Sequence, residues 1–461
     1  MFYDGVSNIE DSVNANTTGY AAILRQYGIP FSESERYLQV NRQQEKNGWV
    51  IFISISVWQI PGILRSILPV LMAENIAFKI VKWYVSAYYI NMGKYGADRI
   101  GKIITAYPAS DAGAQRLVEL LAPITNSYKG PAVMNAIRVG EVLFAQYRET
   151  VTGEDGKKGF KTYLPERSRG LFPAGKGGIQ QHKHKLIIGK YYLILSKIRV
   201  SLKGNIYKAI SLKGMSFRLC VIKEGRLGMA DDRYGRDITD RLLWQKDVMT
   251  DLYKKMPVPK VMDLFSSNDN NYLVMEYVRG TPLPTVIKPY YRNATWKTIS
   301  VQEKEWILSV FCDILIIVEQ LHGLGYVHRD IKSRNFLLQP NRKPYLLDFE
   351  LSYSIRKQLP VPPFTIKTAG YVAPEQFADY IPTAKEDIFS LGALLVFLVT
   401  GTEPRKFLMQ ESGSIEKGLE LSDVDMKMIA LILLCMEKQA DKRPTLAGIR
   451  AMIDSYLTTF K

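Results

Sequence analysis

Side chains with complementary chemistry lie close together in one short segment, HRDIKSRN, which ends at Asn335. It contains a carboxylate at Asp330, a cation at Lys332 and the amide of Asn335. A carboxylate can orient or accept a hydroxyl proton, a lysine can stabilise an anion, and an amide oxygen can bind a hard divalent cation. A second carboxylate, Asp348 in LLDFELS, follows after a short hairpin-like stretch. Residues of these types can act on a hydroxyl, an anion and a metal ion.

The segment resembles the catalytic loop of protein kinases in every fixed position. The resemblance implies phosphoryl transfer from ATP, in which the protein mainly positions a hydroxyl and neutralises charge. Asp330 would accept or orient the hydroxyl proton, and Lys332 would steady the phosphoryl group in the serine/threonine pattern. Asn335 and Asp348 would hold Mg²⁺. Glu350 stands where the family usually has glycine after Asp-Phe, which affects the mobility of the activation segment rather than the metal ligand.

Further kinase landmarks follow in order along the chain. Glu375, in APE, closes the activation segment, and Asp387 begins an apolar helix. Arg443 in DKRPT is predicted to pair with Glu375. Thr365 and Thr368 precede APE, and Thr368 is expected to hold the substrate-facing loop rather than to act as a regulatory phosphosite.

The expected nucleotide-binding lobe is less regular. Lys223 in CVIKEGR is expected to contact the α- and β-phosphates, and the phosphate-covering turn retains only Gly204, in SLKGNIY. Where the family has a glutamate that pairs with this lysine, the sequence offers Gln245, with Asp247 as a nearby acid. An alternative is therefore a pseudokinase that binds ATP without transferring phosphate.

The elements that must position these residues alternate along the chain. Strand-like and helix-like runs up to about residue 150 predict an α+β domain, and strands followed by long apolar helices from residue 190 predict a bilobal kinase. Between them lies a segment rich in Gly, Lys and Arg. We therefore predict an α+β chain with a domain at 1–150, a basic linker at 151–189 and a kinase at 190–461, with its small lobe at about 190–280 and its large lobe at about 281–461.

Composition and short segments indicate the kinds of partner and the cellular location to expect. The 461 residues carry a formal charge of +16, which suits nucleic acid, anionic membranes, acidic peptides or phosphorylated substrates alike. The apolar stretch from residue 49 to 64 is interrupted by Gln59 and Pro61, so it predicts a buried strand and a helix rather than a membrane span. The start MFYDGVSNIEDSVN lacks the features of a signal peptide, which predicts a cytoplasmic protein. The cysteines are expected to be buried thiols; they are Cys220, Cys312 and Cys435.

Short motifs before residue 150 resemble a second family. GWVIFISIS, AFKIVK, IGKIITAYPASD, GPAV and YRE look like the N-terminal lyase domain of class III and class IV lanthipeptide synthetases. That family places the lyase directly before a kinase whose metal motif is often DFE, as here. The resemblance implies that the kinase phosphorylates Ser or Thr in a precursor peptide and that the lyase eliminates the phosphate to leave a dehydroamino acid.

Elimination needs a base for the α-proton, cations around the phosphate and an acid for the leaving group. Lys79, in AFKIVK, matches the family's basic lysine. Lys102, Arg138 and Arg148 are candidates for phosphate or peptide contacts, and solvated surface charges are the alternative for each of them.

The proton donor of the family is missing. Val50 and Phe52 occupy the positions at which the family's strand carries a lysine and a histidine. No histidine precedes His182, and a replacement from His182 or His184 would require the basic segment to fold back. The lyase-like domain is therefore expected to be degenerate.

The remaining expectations concern partners. The synthetase family normally continues into a zinc-binding cyclase, and because no zinc-ligand spacing is found, a separate cyclase protein is an expected partner beside the precursor peptide. No nucleic acid partner and no membrane span are predicted. The alternative function is a signalling Ser/Thr kinase whose N-terminal domain binds phosphopeptides without catalysis.

Overall fold

The computed structural model describes residues 19–41, 47–152, 158–166, 168–172, 186–214, 217–232, 234–365, 368–377, 381–409 and 414–460. The chain divides into two compact units. The first unit runs up to Asp240 and also contains the later segment Phe265–Tyr272. The second unit comprises Arg241–Leu264 and Leu273–Lys461. Both helices and sheets occur throughout, which confirms the α+β prediction.

An eight-stranded antiparallel sheet forms the centre of the first unit. Its strands are β1 Ser32–Glu33, β2 Tyr37–Val40, β3 Gly48–Ile53, β4 Ala77–Val81, β5 Ile104–Tyr107, β6 Ile137–Arg138, β7 Leu143–Thr152 and β8 Lys158–Tyr163. Their order is β1-β2-β4-β5-β3-β7-β6, and β8 pairs with β7. β8 lies inside the segment expected to be a linker, so that segment contains regular structure. The predicted domain boundaries themselves stay a prediction.

Helices cover one face of this sheet. They are α1 Gly19–Gln26, α2 Ile60–Ala73, α3 Tyr84–Asn91, α4 Asp111–Thr125 and the short α5 Ser168–Leu171. In α2 the buried residues recur at the spacing of three and four that gives a helix one apolar side; they are Ile60, Ile63, Leu64, Ile67, Leu68 and Leu71. The strand and helix predicted between residues 49 and 64 are therefore confirmed.

Strand β3 is buried on both faces, which explains its continuous apolar sequence. Ile51 and Ile53 pack in the core under the helices. Val50 and Phe52, which point the other way, join a separate apolar cluster that includes Phe144. The second face of the sheet is thus also partly closed by apolar side chains.

A smaller antiparallel sheet follows in the chain. Its strands are β9 Ile187–Ile188, β10 Tyr192–Arg199, β11 Ile206–Ser211, β12 Arg218–Gly225, β13 Val261–Ser267 and β14 Asn270–Glu276. Helix α6, Ile238–Leu252, lies between β12 and β13 in the chain. The boundary between the units passes through α6, β13 and β14.

The second unit is mainly helical. Its helices are α7 Leu283–Ile287, α8 Val301–Gly323, α9 Ala384–Thr400, α10 Pro404–Leu408, α11 Ile415–Glu420, α12 Met426–Cys435 and α13 Leu446–Leu457. Short strands lie at β15 Thr281–Pro282, β16 Tyr326–Val327, β17 Phe336–Leu338, β18 Pro344–Leu346 and β19 Tyr353–Ser354. Helix α9 is buried from Glu386 to its end and is the centre of the core. The predicted apolar helix that begins near Asp387 is confirmed.

Helix α8 passes a length and composition test for a membrane span. It begins with a capping box between Ser300 and Glu303. Half of its apolar window is buried inside the protein, and its inward residues belong to the core of the second unit. Core helices of many proteins pass the same test, so the test alone assigns no span.

The three cysteines are free thiols, as predicted. Cys220 and Cys435 are buried, and Cys312 is half-buried. Burial raises the pKa of the Cys220 thiol to about 11 and that of Cys435 to about 12. These thiols are therefore packing groups rather than nucleophiles.

The buried carboxylate of Asp231, in the loop before α6, contacts the segment between β3 and α2. It accepts hydrogen bonds from the Ser56 hydroxyl and from the Val57 backbone N–H, the latter at 3.3 Å. Burial raises its pKa above the ordinary value, although the hydrogen bonds from Ser56 and Val57 oppose this effect. Nearby, a Cβ on Gly228 would lie 2.3 Å from the backbone carbon of Gly130, so the two backbones pack directly.

We expect Ser56→Ala to lower the free energy of unfolding by about 1–3 kcal/mol, because it removes a donor from a buried carboxylate. Urea denaturation at pH 7 measures this. Ser127→Ala, at an exposed hydroxyl, is the matched control and should change stability by less than about 0.5 kcal/mol. Equal stability of the two variants would show that the Ser56 contact contributes nothing.

Candidate active site

The catalytic loop brings its predicted residues into direct contact. Lys332 Nζ lies 2.5 Å from Asp330 Oδ2. The side-chain amide of Asn335 donates to the Asp330 carbonyl oxygen at 2.8 Å and to Oδ2 at 3.1 Å. Asp330 is 4% exposed, and these contacts fix the direction of its buried carboxylate.

Thr368 completes this group from the activation segment. Its hydroxyl donates to Asp330 Oδ1 at 2.8 Å and accepts from Lys332 Nζ at 3.2 Å. Both oxygens of the carboxylate therefore have partners, and the end of the activation segment is fastened to the catalytic loop. This contact fits the expectation that Thr368 orders the loop.

The segments that carry the two predicted metal ligands are joined through their backbones. The N–H of Leu347, the residue before Asp348, donates to the Asn335 carbonyl oxygen at 2.8 Å. The Asn335 amide nitrogen is used on Asp330, which leaves its side-chain oxygen as the atom that can face a cation. A carboxylate and an amide oxygen are the kinds of ligand that Mg²⁺ takes, so the residue types assigned to the metal fit this ion.

A buried aspartate, Asp387, supports the backbone of the catalytic loop. It accepts from the N–H groups of His328 and Arg329, each at 2.8 Å, and contacts His322 Nε2 at 2.8 Å. Burial opposes its ionisation, but the hydrogen bonds from His322 and from the His328 backbone N–H lower the pKa of Asp387 below its ordinary value. The loop is therefore anchored on an ionised carboxylate inside the core.

His328 has a structural role. Burial lowers its pKa, which favours the neutral ring. Nδ1 accepts from the Asp330 backbone N–H at 3.3 Å, so Nε2 carries the proton and donates to the Leu347 carbonyl oxygen at 3.2 Å. The ring also packs against Phe349, with centroids 5.1 Å apart. A neutral ring fixed on both nitrogens holds backbone segments together and is not an acid or base.

The predicted pair of Glu375 and Arg443 is confirmed. The Arg443 guanidinium donates to both carboxylate oxygens of Glu375, at 2.5 and 2.7 Å. Arg443 is 2% exposed, so the guanidinium of this bidentate ion pair is shielded from water.

In the smaller sheet, Lys223 lies on β12 opposite Ile206 of β11 and is 7% exposed. Gly204 has a φ of 138°, and a Cβ there would lie 1.9 Å from the Glu224 carbonyl oxygen. Glycine is thus required by the close packing of its turn against β12, whether or not the turn covers a phosphate.

The two candidate polar residues of helix α6 differ in their exposure to solvent. Gln245 is 1% exposed, and its amide nitrogen contacts the sulfur of Met249 at 3.6 Å. Asp247 has a side chain 61% exposed and pairs with Lys246 at 2.9 Å. Gln245 therefore faces the interior, whereas Asp247 faces away from it.

On the first sheet, the register places the predicted lyase residues on one face. Lys79 on β4 pairs with Thr105 on β5, and Thr105 pairs with Phe52 on β3. Directly paired residues point to the same side of a sheet. Arg148 on β7 pairs with Gly48 of β3. Side chains alternate along a strand, and Gly48 and Phe52 are an even number of positions apart. Arg148 therefore points to the same side as Phe52.

Three cations of this face rest on aromatic rings. Lys79 Nζ lies 4.4 Å from the Tyr37 ring, and Lys102 Nζ lies 4.7 Å from that of Phe52. The Arg148 guanidinium lies 5.1 Å from the Tyr107 ring. Aromatic faces attract cations without neutralising them, so the positive charge is kept.

Burial and neighbouring cations lower the pKa of Lys79; the cations are those of Arg148, Arg99 and Lys102. We name Lys79, Arg99, Lys102 and Arg148 the cation face. Sequence reasoning missed Arg99, because only the folded sheet brings it near Lys79. A lysine whose pKa is lowered is a better proton acceptor at neutral pH.

Arg138, the remaining cation suggested by the sequence, has another role. It forms ion pairs with Glu141, at 3.0 Å, and with Asp269. Its charge is therefore compensated within the protein. Lys79 and Lys102, by contrast, form no salt bridge with any residue that the structure describes.

Among the residues that the structure describes, β3 itself carries no histidine or other acid at the expected positions. Val50 and Phe52 are 3% and 5% exposed and pack with Val133, Ala136 and Phe144. His182 and His184 lie outside the described residues, so the structure gives no position for them.

Two family models match this chain. Residues 230–455 match the protein kinase domain, and residues 32–171 match the RamC N-terminal domain. A probable SapB synthase of Streptomyces coelicolor is 25% identical over 81% of this chain and 43% of its own length. The chain is similar to lanthipeptide synthetases and contains a protein kinase domain.

Other relatives match the kinase domain. The serine/threonine-protein kinase B of Synechocystis is 29% identical over 41% of this chain and 33% of its own length. The serine/threonine-protein kinase D of the same organism is 25% identical over 52% of this chain and 47% of its own length. This synthetase-like chain therefore spans less than half the length of each of these relatives.

In the kinase domain, Asp330→Asn and Lys223→Met should each abolish phosphate transfer while leaving the melting temperature nearly unchanged. Both side chains are assigned to the reacting phosphates or hydroxyl rather than to core packing. Transfer of radiolabel from ATP to a Ser/Thr peptide library measures the loss. Asp313→Asn, at a surface pair with Lys343, is the control and should retain activity. Parental activity in Asp330→Asn would refute the role of this residue.

Asp348→Asn should weaken the magnesium dependence and lower turnover together, since it removes the anionic ligand assigned to the metal. A titration of activity against Mg²⁺ concentration checks this, with Asp313→Asn again as control. Identical titration curves for variant and parent would show that Asp348 is not the metal ligand.

Proposed function

We propose that this chain is an ATP- and Mg²⁺-dependent kinase that phosphorylates serine or threonine in a ribosomally made precursor peptide, as the first half of a dehydration. The observation that supports the kinase reaction is the contact group of Asp330, Lys332, Asn335 and Thr368. The peptide substrate is supported by the RamC-type N-terminal match on the same chain. The proposed domain limits are 1–150, 151–189 and 190–461.

Each residue of the group has a distinct task. Asp330, fixed through both oxygens, accepts or orients the proton of the substrate hydroxyl. Lys332 lies at that carboxylate and steadies the transferred phosphoryl group. Asn335 and Asp348 would hold Mg²⁺, which when bound neutralises charge on the phosphates. Lys223 is assigned to the α- and β-phosphates.

The cation face is proposed to receive the phosphorylated peptide. Lysine and arginine bind phosphate through charge-assisted hydrogen bonds, and the cation face brings such side chains together. Lys79, with its lowered pKa, is the base for the α-proton. The buried apolar cluster around Val50 and Phe52 provides no acid for the leaving phosphate. The proposed result is binding with slow elimination.

A second candidate is a signalling Ser/Thr kinase whose N-terminal domain only binds phosphopeptides. The apolar closure at Phe52 favours it, because binding needs cations but no acid. A short gene encoding a Ser/Thr/Cys-rich peptide, beside a gene for a cyclase, would favour peptide modification, with that cyclase as a partner. For either function, the proposed location is the cytoplasm, where ATP is available.

A cognate peptide incubated with ATP and Mg²⁺ should accumulate the mass of added phosphate rather than the mass of lost water. Without a positioned acid, elimination should be slower by about 10²-fold or more. Mass spectrometry of the peptide measures both products. The double variant Val50→Lys, Phe52→His should recover part of the elimination if the strand tolerates the polar groups.

Lys79→Met provides the matched test of the base, with Lys161→Met on β8 as the surface control. Any elimination by the parent or by the restored variant should disappear in Lys79→Met and persist in Lys161→Met. Efficient dehydration by the parent without a partner protein would contradict the degenerate site.

A further inference from the structure

The arginine before the catalytic carboxylate is already paired inside the fold. Arg329 Nε donates to Glu386 Oε2 at 2.9 Å, and its Nη1 donates to the Phe364 carbonyl oxygen at 3.0 Å. The Arg329 side chain is 6% exposed and that of Glu386 is 0% exposed. This guanidinium therefore joins the catalytic loop, helix α9 and the activation segment at one buried point.

Glu386 and Asp387 act on the same residue. The Asp387 carboxylate accepts from the Arg329 backbone N–H at 2.8 Å, while Glu386 holds the guanidinium. Arg329 has a φ of 65°, a left-handed conformation that a non-glycine residue adopts only when its surroundings impose it. Two consecutive carboxylates of α9 thus fix the backbone and the side chain directly before Asp330.

In many kinases, a phosphate added to the activation segment supplies the anion that pairs with arginine and orders that segment. Here the anion is a glutamate side chain. Thr365 directly follows Phe364, so it is the hydroxyl of the segment next in sequence to this pair. A phosphate on Thr365 would add negative charge one residue from Phe364, whose arginine partner is already paired with a carboxylate.

We propose that Glu386 is a positioning residue that replaces such a phosphate, so that the kinase is active without phosphorylation of its own activation segment. The proposal rests on the kinase activity proposed above. Removing one partner of a buried ion pair leaves the other charge uncompensated, so Arg329 and the segment at Phe364 should then lose their fixed arrangement. The catalytic carboxylate, one residue away, would be displaced with them.

The first arm of the test concerns phosphorylation. The full chain is treated with a broad-specificity phosphatase, shown by mass spectrometry to carry no phosphate, and assayed with radiolabelled ATP and a Ser/Thr peptide library. We expect phosphatase-treated protein to transfer phosphate at the untreated rate and without a lag. Thr365→Ala should also have parental activity.

The second arm concerns the glutamate. Glu386→Gln should lower kcat by about 10²-fold with little change in KM for ATP, because a small displacement of catalytic groups affects the chemical step most. Glu386→Asp should restore part of kcat, and Glu305→Gln, at an exposed position, should match the parent. If Glu386 acts through Arg329, the double variant Arg329→Gln, Glu386→Gln should be no worse than Glu386→Gln alone.

Three results would overturn the proposal: phosphatase-treated protein that is inactive until it is rephosphorylated, loss of activity in Thr365→Ala, or parental kcat in folded Glu386→Gln. If Glu386→Gln does not fold, the phosphatase and Thr365 experiments still decide. Absence of transfer by the parent in both phosphorylation states would instead contradict the kinase function itself.

Discussion

The buried carboxylate of Asp387 is the interaction on which the kinase site depends. It receives two backbone N–H groups of the catalytic loop and the ring of His322, all at 2.8 Å. A carboxylate without solvent is stable only when donors surround it, so the loop and the core helix require each other. The position of Asp330 follows from this anchor, because a short loop fixed at its first residues leaves the next ones little freedom.

The sequence predicted correctly the contacts of residues that are close together in the chain. Asp330, Lys332 and Asn335 are within one short loop, and the structure brings all three into contact. The distant pair of Glu375 and Arg443 was also predicted, because both stand in strong family motifs. For such residues, the spacing in the sequence or the order of the motifs is enough to predict the contact.

Contacts between distant segments without a motif were not predictable. Arg99 reaches the neighbourhood of Lys79 only through the order of strands in the sheet. Arg138 was a phosphate candidate by charge alone, but the fold gives it the carboxylates of Glu141 and Asp269. Glu386 precedes a recognisable aspartate and gives no signal in the sequence that it neutralises an arginine. In each case the residue type was known and its partner was not.

The two units also differ in how far a substitution in the site affects the fold that supports it. The kinase group lies on loops whose backbone is hydrogen-bonded to a core helix, so its geometry and its chemistry come from the same residues. The cation face is assembled from side chains of separate strands, and the sheet's stability comes from backbone pairing and from the core on its other face. Val50 and Phe52 can therefore close that face with apolar packing while the register of β3 is kept. A sheet of this kind can therefore keep its fold and its cations without an acid on β3.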